Sequence, residues 1–147
     1  MAVPRAYLRS PAVRIALGIF AVTTAFEVGS ALFNENKDTA VEKSLEVASA
    51  KMNRTCPQLL DDEVRLDNTS AGPGKVFTFH YSLVKRAKAD LTVEKFAETV
   101  RPDLVVEYKS SPKTKSFRDQ KVALHYRYTD KNGDFIADIV VGPDDLK

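Results

Sequence analysis

An apolar N-terminal stretch limits what this chain can fold into. Ala12–Phe33 spans 22 residues with only two charges, Arg14 and Glu27, and Ile15–Phe26 carries none. About 20 mostly apolar residues are enough for a helix to cross a bilayer. Arg14 can extend to the inner interface, and Glu27 lies near the other end of the stretch. We therefore predict a transmembrane or signal helix in residues 1–33, which leaves the rest of the chain to form the folded domain.

The charge pattern around this segment predicts its orientation. Arg5, Arg9 and Arg14 precede every acidic residue, and basic flanks stay in the cytoplasm. We expect a single-pass protein of the inner membrane, associated with the bilayer through residues 12–33, with a cytoplasmic N-terminus and a periplasmic domain. The predicted division is an anchor (1–33), a linker (34–38) and an exported domain (39–147). Small residues at 28–31 also permit a cleaved export signal, and an Arg-rich start is compatible with a mitochondrial presequence.

Composition excludes several classes of protein. With 44% apolar and 29% charged residues, the chain is typical of a folded protein. A net charge of +2 and the lack of a long basic block argue against a nucleic-acid partner. The single cysteine, Cys56, can form neither an intramolecular disulfide nor a paired-cysteine zinc site.

Two helical regions are predicted in the exported part. Thr39 and Glu42 have the spacing of a capping box, and Pro57 closes the first helix. The second region follows a Thr92 N-cap and is predicted to be divided into two pieces at Pro102. The apolar positions of the first helix recur every three or four residues: Val41, Leu45, Ala48 and Met52.

Two turn signals predict two β-hairpins. Ala71–Gly74 reads AGPG between β-rich runs, and Asp130–Asp134 reads DKNGD between two others. Asn-Gly between alternating runs is the strongest short hairpin signal. The order α-ββ-α-ββ predicts an α+β fold with a four-stranded antiparallel sheet and the helices on one face.

The only two histidines raise the question of a site. Strand alternation places His80 and His125 on the more polar face of the sheet, opposite the aromatic residues beside them. Asp138 falls on the same face, opposite the set Phe135, Ala137, Ile139 and Val141. A metal site would need such a trio, but Arg127 on the same face would oppose a cation. The more common interpretation is a polar surface formed by His80, His125, Arg127 and Asp138, and we assign no catalytic residue, cofactor or metal.

The runs RLDNTSAGPGKVFTFHYSLV and VALHYRYTDKNGDFIADIVVGPDD resemble stretches of small bacterial envelope proteins that join an N-terminal export segment to an α+β domain. The resemblance implies an exported location and no activity. We therefore expect a non-catalytic, membrane-anchored domain that binds or supports another envelope protein. The alternatives are a cleaved, soluble periplasmic protein that binds a small ligand or inhibits a partner and, third, a histidine-dependent metalloenzyme.

Overall fold

The computed structural model describes residues 37–147, which form a β-sheet with helices packed on one face. The predicted anchor, residues 1–33, lies outside the described residues. The first residues of helix α1 fall within the stretch 34–38 that the sequence marks as a linker, and the domain limits themselves stay a prediction.

The described elements run along the chain in the order α1, three strands, α2, α3 and two strands, with short 3₁₀ turns at 88–90, 112–114 and 143–146. The helices are α1 (Lys37–Asn53), α2 (Val93–Ser110) and α3 (Lys115–Asp119), and the strands are β1 (Gln58–Leu59), β2 (Val64–Gly72), β3 (Val76–Leu83), β4 (Ala123–Thr129) and β5 (Phe135–Val141).

The sheet has five strands in the order β1-β2-β3-β4-β5 and is mixed. The predicted hairpins β2–β3 and β4–β5 are both antiparallel, whereas β3 and β4 run parallel, with Val76 beside Ala123. The prediction of a four-stranded, wholly antiparallel sheet was therefore wrong. Parallel neighbours need a crossover connection, which the segment carrying α2 supplies. The additional strand β1 is two residues long and gives almost no signal in the sequence.

The core lies between the helices and one face of the sheet. Aromatic rings fill its centre: Tyr81 and Tyr128 stack with centroids 5.3 Å apart, and Phe96 of α2 meets Tyr128 edge-on at 5.1 Å. Such pairs stabilise beyond the area they bury. The helices contribute these buried side chains: Val41, Leu45, Met52, Phe96, Val100, Leu104 and Tyr108.

Both predicted helices form; α2 begins after Thr92 as predicted, whereas the start of α1 differs from the prediction. Thr39 lies within α1 and not at its N-cap, and the Glu42 carboxylate accepts a hydrogen bond from the backbone N–H of Gly74 at 2.6 Å. Thr92 is the N-cap of α2, without a side-chain cap bond. Helix α2 is continuous through Pro102 and is not divided in two.

The second hairpin turn is organised by a carboxylate. Asp130 is buried and accepts hydrogen bonds from the backbone N–H groups of Lys88 (2.7 Å), Asn132 (2.7 Å) and Asp134 (2.9 Å). These bonds, led by that from Lys88, lower the pKa of Asp130. Gly133 has φ +87°, the left-handed conformation that the Asn-Gly signal predicts. The turn is thereby tied to the segment that leaves β3.

None of the helices formed by residues 37–147 combines the length and apolar character needed to cross a membrane.

Candidate functional site

The sheet face turned away from the helices is not covered by any other element of residues 37–147. We call it the open face. It is polar at its centre and carries two apolar side chains on β5. Its side chains come from four strands: Ser70, Thr78, His80, His125, Arg127, Phe135, Asp138 and Val140.

The four predicted surface residues all lie on the open face. His80 is opposite Arg127 in the β3–β4 register, and Arg127 is opposite Asp138 in the β4–β5 register. His125 is opposite Thr78, so the two histidines are diagonal neighbours rather than a directly facing pair. The sequence thus placed these residues on the correct face, and a functional role for them stays a prediction.

His80 contacts a serine. Its Nε2 lies 3.0 Å from the Oγ of Ser70 on β2. Partial burial lowers the pKa of His80, and the Arg127 guanidinium lowers it further. The neutral imidazole could accept a proton from Ser70. No other side chain of the described residues bonds the second ring nitrogen of His80, so the third member that orients a nucleophile–base pair is missing from this part of the chain.

A second group of contacts links β4 and β5. His125 Nδ1 lies 3.2 Å from the Asp138 carboxylate, with both side chains partly exposed. The Arg127 guanidinium lies over the ring of Phe135, 5.1 Å from its centroid. Positive, negative and aromatic groups thus alternate within a small area of the open face.

These contacts do not form a metal site. Among residues 37–147 no three His, Cys, Asp or Glu side chains are grouped so that they could hold a metal ion. The proposed trio fails because the register places Arg127 between His80 and Asp138, and a fixed cation there repels a second one. His125 and Asp138 alone provide too few ligands.

Two apolar members of the open face stand out, and one of them was predicted on the wrong face. Phe135 was assigned to the core, but its side chain is 45% exposed. A register irregularity between Tyr128 and Thr129 shifts the alternation, so Ile136 is buried instead. Val140 is 43% exposed. Its place on the open face could have been predicted from the sequence, because side chains alternate along a strand and Val140 lies two residues after Asp138.

A hydrogen-bond network joins three strands beside this surface. Ser82 donates from its hydroxyl to the carboxylate of Asp67, and its Oγ lies 3.1 Å from the Oγ1 of Thr129. Asp67 occupies the irregularity between Leu66 and Asn68 in β2. The network links β2, β3 and β4 to one another through side chains.

The first edge of the sheet, which we call the β2 edge, is closed. Strand β1 pairs with the start of β2, and Asn53 of α1 closes the next part. The Asn53 amide donates to the carbonyl of Thr69 at 2.9 Å and accepts from its N–H at 2.7 Å. Ser49 donates a further bond to the same carbonyl. Side chains here take the place of a neighbouring strand.

The opposite edge, which we call the β5 edge, differs. β5 is the last strand of the order and pairs only with β4. In the part of the chain that the structure describes, no backbone group of residues 135–141 bonds to anything beyond β4. The strand FIADIVV contains no proline or lysine, and Asp138 is its only charge. This edge therefore presents free backbone donors and acceptors.

The family model for the domain of unknown function DUF8479 matches residues 36–136, more than half of the chain. The chain belongs to this family. Among curated protein sequences, none matches significantly.

Three solved bacterial structures are similar to this domain. A Pseudomonas aeruginosa protein thought to be secreted is 19% identical, with a TM-score of 0.62 over 81% of this chain and 100% of its own. The pilotin EpsS of the Vibrio vulnificus type 2 secretion system is 12% identical, with a TM-score of 0.61 over 78% and 98%. The type II secretion pilotin AspS of Vibrio cholerae is 12% identical, with a TM-score of 0.54 over 73% and 93%. These likenesses establish that the fold is shared.

Proposed function

We propose that this DUF8479 domain is a non-catalytic, protein-binding domain exported to the bacterial envelope, and that its open face is where the partner docks. The observation that carries this proposal is the open face itself, with half-exposed Phe135 and Val140 beside Arg127 and Asp138.

The composition of the open face fits a protein partner. Phe135 and Val140 supply apolar area, and the Arg127–Phe135 contact combines an aromatic ring with an arginine, residue types that are enriched where proteins bind tightly. The adjacent Asp138 and His125 supply polar groups for the rim. An open sheet face suits another protein surface better than a small ligand, which is usually held in a concave pocket.

The fold relatives support the same proposal. Two of them are pilotins of type 2 secretion systems and the third is thought to be secreted. Their names describe components of, or exports from, a bacterial envelope and no enzymatic activity. For this chain we propose the same setting, with residues 12–33 as the membrane anchor and residues 39–147 in the periplasm, in agreement with the N-terminal charge pattern.

Site-specific photo-crosslinking of the full chain in cells tests the docking surface. A photoreactive phenylalanine analogue replaces Ser70 or Val140 on the open face in two variants, and Val47 of α1 or Val106 of α2 in two control variants. All four positions are exposed, so side-chain accessibility does not separate them. We expect one discrete adduct from the open-face positions and none from the helix positions. Adducts of equal yield from all four positions, or from the helices only, would contradict the proposed surface.

Fractionation of the full chain tests the location separately. The anchored form predicts uncleaved protein in the membrane fraction. A soluble product beginning near Ala31 would contradict the anchor and leave the docking surface unaffected, because the two features lie in different parts of the chain.

A further inference from the structure

We propose that the β5 edge is a strand-addition site that accepts an extended segment of another protein carrying a basic side chain opposite Asp138. The inference rests on the proposed protein-binding function and names how the partner would be held.

The backbone determines the shape of the occupant. β5 is seven residues long, which corresponds to roughly 23 Å of strand. Its outer N–H and C=O groups have no partner among residues 37–147, and such a row of groups is a template for another extended chain. A helix has no free backbone groups to offer along its side. The complementary ligand is therefore a strand.

Folded proteins usually block such an edge, and this domain does so more completely on its other side. Short strands, lysine, proline, bulges or covering elements are the common devices. The β2 edge uses two of them, the two-residue β1 and the side-chain closure by Asn53. Along β5 the pairing with β4 is regular from Ala137 to Val141; the strand carries one bulge, at Ile136, and one charge, Asp138, but no proline, no lysine and no covering element among residues 37–147.

Charge selects the occupant. Asp138 stands in the middle of β5 on the open face, and its neighbour on the β4 side is Arg127. The position on its other side is vacant among the described residues, and a cross-strand lysine or arginine there would complete an alternating row. A second copy of this chain fits poorly, because a two-fold antiparallel pair centred on this strand places Asp138 opposite Asp138. We therefore assign the edge to a different protein.

The side chains next to the edge define the remaining pattern. On the helix side, Ala137, Ile139 and Val141 are buried, whereas Asp138 and Val140 face the open side. An added strand should alternate apolar residues toward the helices with polar residues toward the open face, with its basic residue in the polar set.

Two synthetic peptides test this assignment on the full chain held in detergent micelles. The probe is Thr-Val-Thr-Val-Lys-Val-Thr-Val-Thr, which reads the same in both directions, so strand polarity does not affect the comparison. Its twin has glutamate in place of the central lysine. Fluorescence anisotropy measures binding, and hydrogen–deuterium exchange locates it.

We expect the lysine peptide to bind about tenfold more tightly than the glutamate peptide, because it replaces a like-charge pair by an opposite-charge pair. It should slow exchange of the outward-facing amides in residues 135–141, those that do not bond to β4, and leave residues 64–72 unchanged. In the variant Asp138→Lys the preference should reverse in favour of the glutamate peptide. A reversal cannot arise from unfolding of the variant.

Three results would overturn the assignment: equal affinity of the two peptides, protection located outside β5, or outward-facing β5 amides that already exchange slowly before peptide is added. In the last case, a concentration-dependent dimer would identify a second copy as the occupant, and a monomer would identify another segment of this chain. None of these results bears on crosslinking through Ser70, so the proposed function can stand when the strand-addition site fails.

Discussion

Each edge of the sheet has backbone N–H and C=O groups that point away from the neighbouring strand, and the two edges differ in whether other residues bond these groups. At the β2 edge, Asn53 bonds both backbone groups of Thr69, and Thr69 is almost completely buried. At the β5 edge the outward-facing backbone groups, which belong to alternate residues of β5, have no such partner in the described part of the chain. Closure at Thr69 uses side chains of α1, so it requires a helix whose residues lie level with the edge strand.

The difference lies in which helix reaches which edge. Helix α1 packs along β2, so its last turn places Asn53 level with the strand. Helix α2 packs over the helix-facing side of β5 through buried residues such as Val100 and Leu104, and it does not extend around the strand. The closed edge therefore depends on the seating of α1, whereas the open edge depends on no further element.

The largest expected effect comes from loosening α1. Leu45 is fully buried between α1 and the sheet, and Leu45→Ala should lower the free energy of unfolding by about 3 kcal/mol because it leaves a cavity. Urea denaturation measures the change in unfolding free energy. Relative to the unsubstituted protein, hydrogen exchange should accelerate more in β2 than in β5. The control Val47→Ala, at an exposed position of the same helix, should change stability by less than about 0.5 kcal/mol. Equal acceleration at both edges would show that α1 does not close the β2 edge selectively.

A smaller effect is expected from opening the β2 edge directly. Asn53→Ala removes the partner of the Thr69 N–H and should cost about 1–2 kcal/mol, with faster exchange of that amide. Asn53→Asp keeps the acceptor for the Thr69 N–H but places a carboxylate oxygen against the Thr69 carbonyl, so it should also lower stability while accelerating exchange of that amide less than Asn53→Ala does. Asn68→Ala, an exposed asparagine of β2, is the matched control. If Thr69 exchanges at the same rate in all three variants, Asn53 does not act as a substitute strand.

The smallest effect is expected at the open edge. Val140→Thr should change stability by less than about 0.5 kcal/mol, because the side chain is half-exposed. The same substitution at the next residue, Val141→Thr, buries a hydroxyl under α2 and should cost about 1–2 kcal/mol. Thermal unfolding compares the two variants. Similar losses would mean that Val140 is covered, which would remove it from the open face.

The second hairpin, the strand faces of the histidines and the buried side of α1 could be predicted from the sequence, because each depends on residues close together in the chain. Asn132 and Gly133 predicted the second hairpin, and the alternation around His80 and His125 placed both side chains on the correct face. The stripe from Val41 to Met52 predicted the buried side of α1.

The parts that the sequence did not predict depend on contacts between distant residues. Neither hairpin specifies whether β3 and β4 run parallel, because that depends on how α2 returns across the sheet. The register irregularity beside Thr129 places Phe135 on the face opposite to the predicted one, and no residue in this run predicts the irregularity. Pro102 looked like a break, yet the tertiary packing of α2 accommodates it. The β2 edge closure needs Asn53 and Thr69 to meet across 16 positions of chain.

The parallel pairing at the centre of the sheet has a consequence for folding kinetics. Each hairpin can form from residues close in sequence, but Val76 meets Ala123 and Ser82 meets Thr129 only after the chain between them is organised. Pairing of β3 with β4 loses more chain entropy than pairing within a hairpin before its contacts compensate for the loss, so it limits the rate of folding. We expect the two hairpins to form early, and the slow step to be their union through β3 and β4. Until that step is complete, the inner edges of both hairpins are as exposed as the β5 edge is in the folded domain.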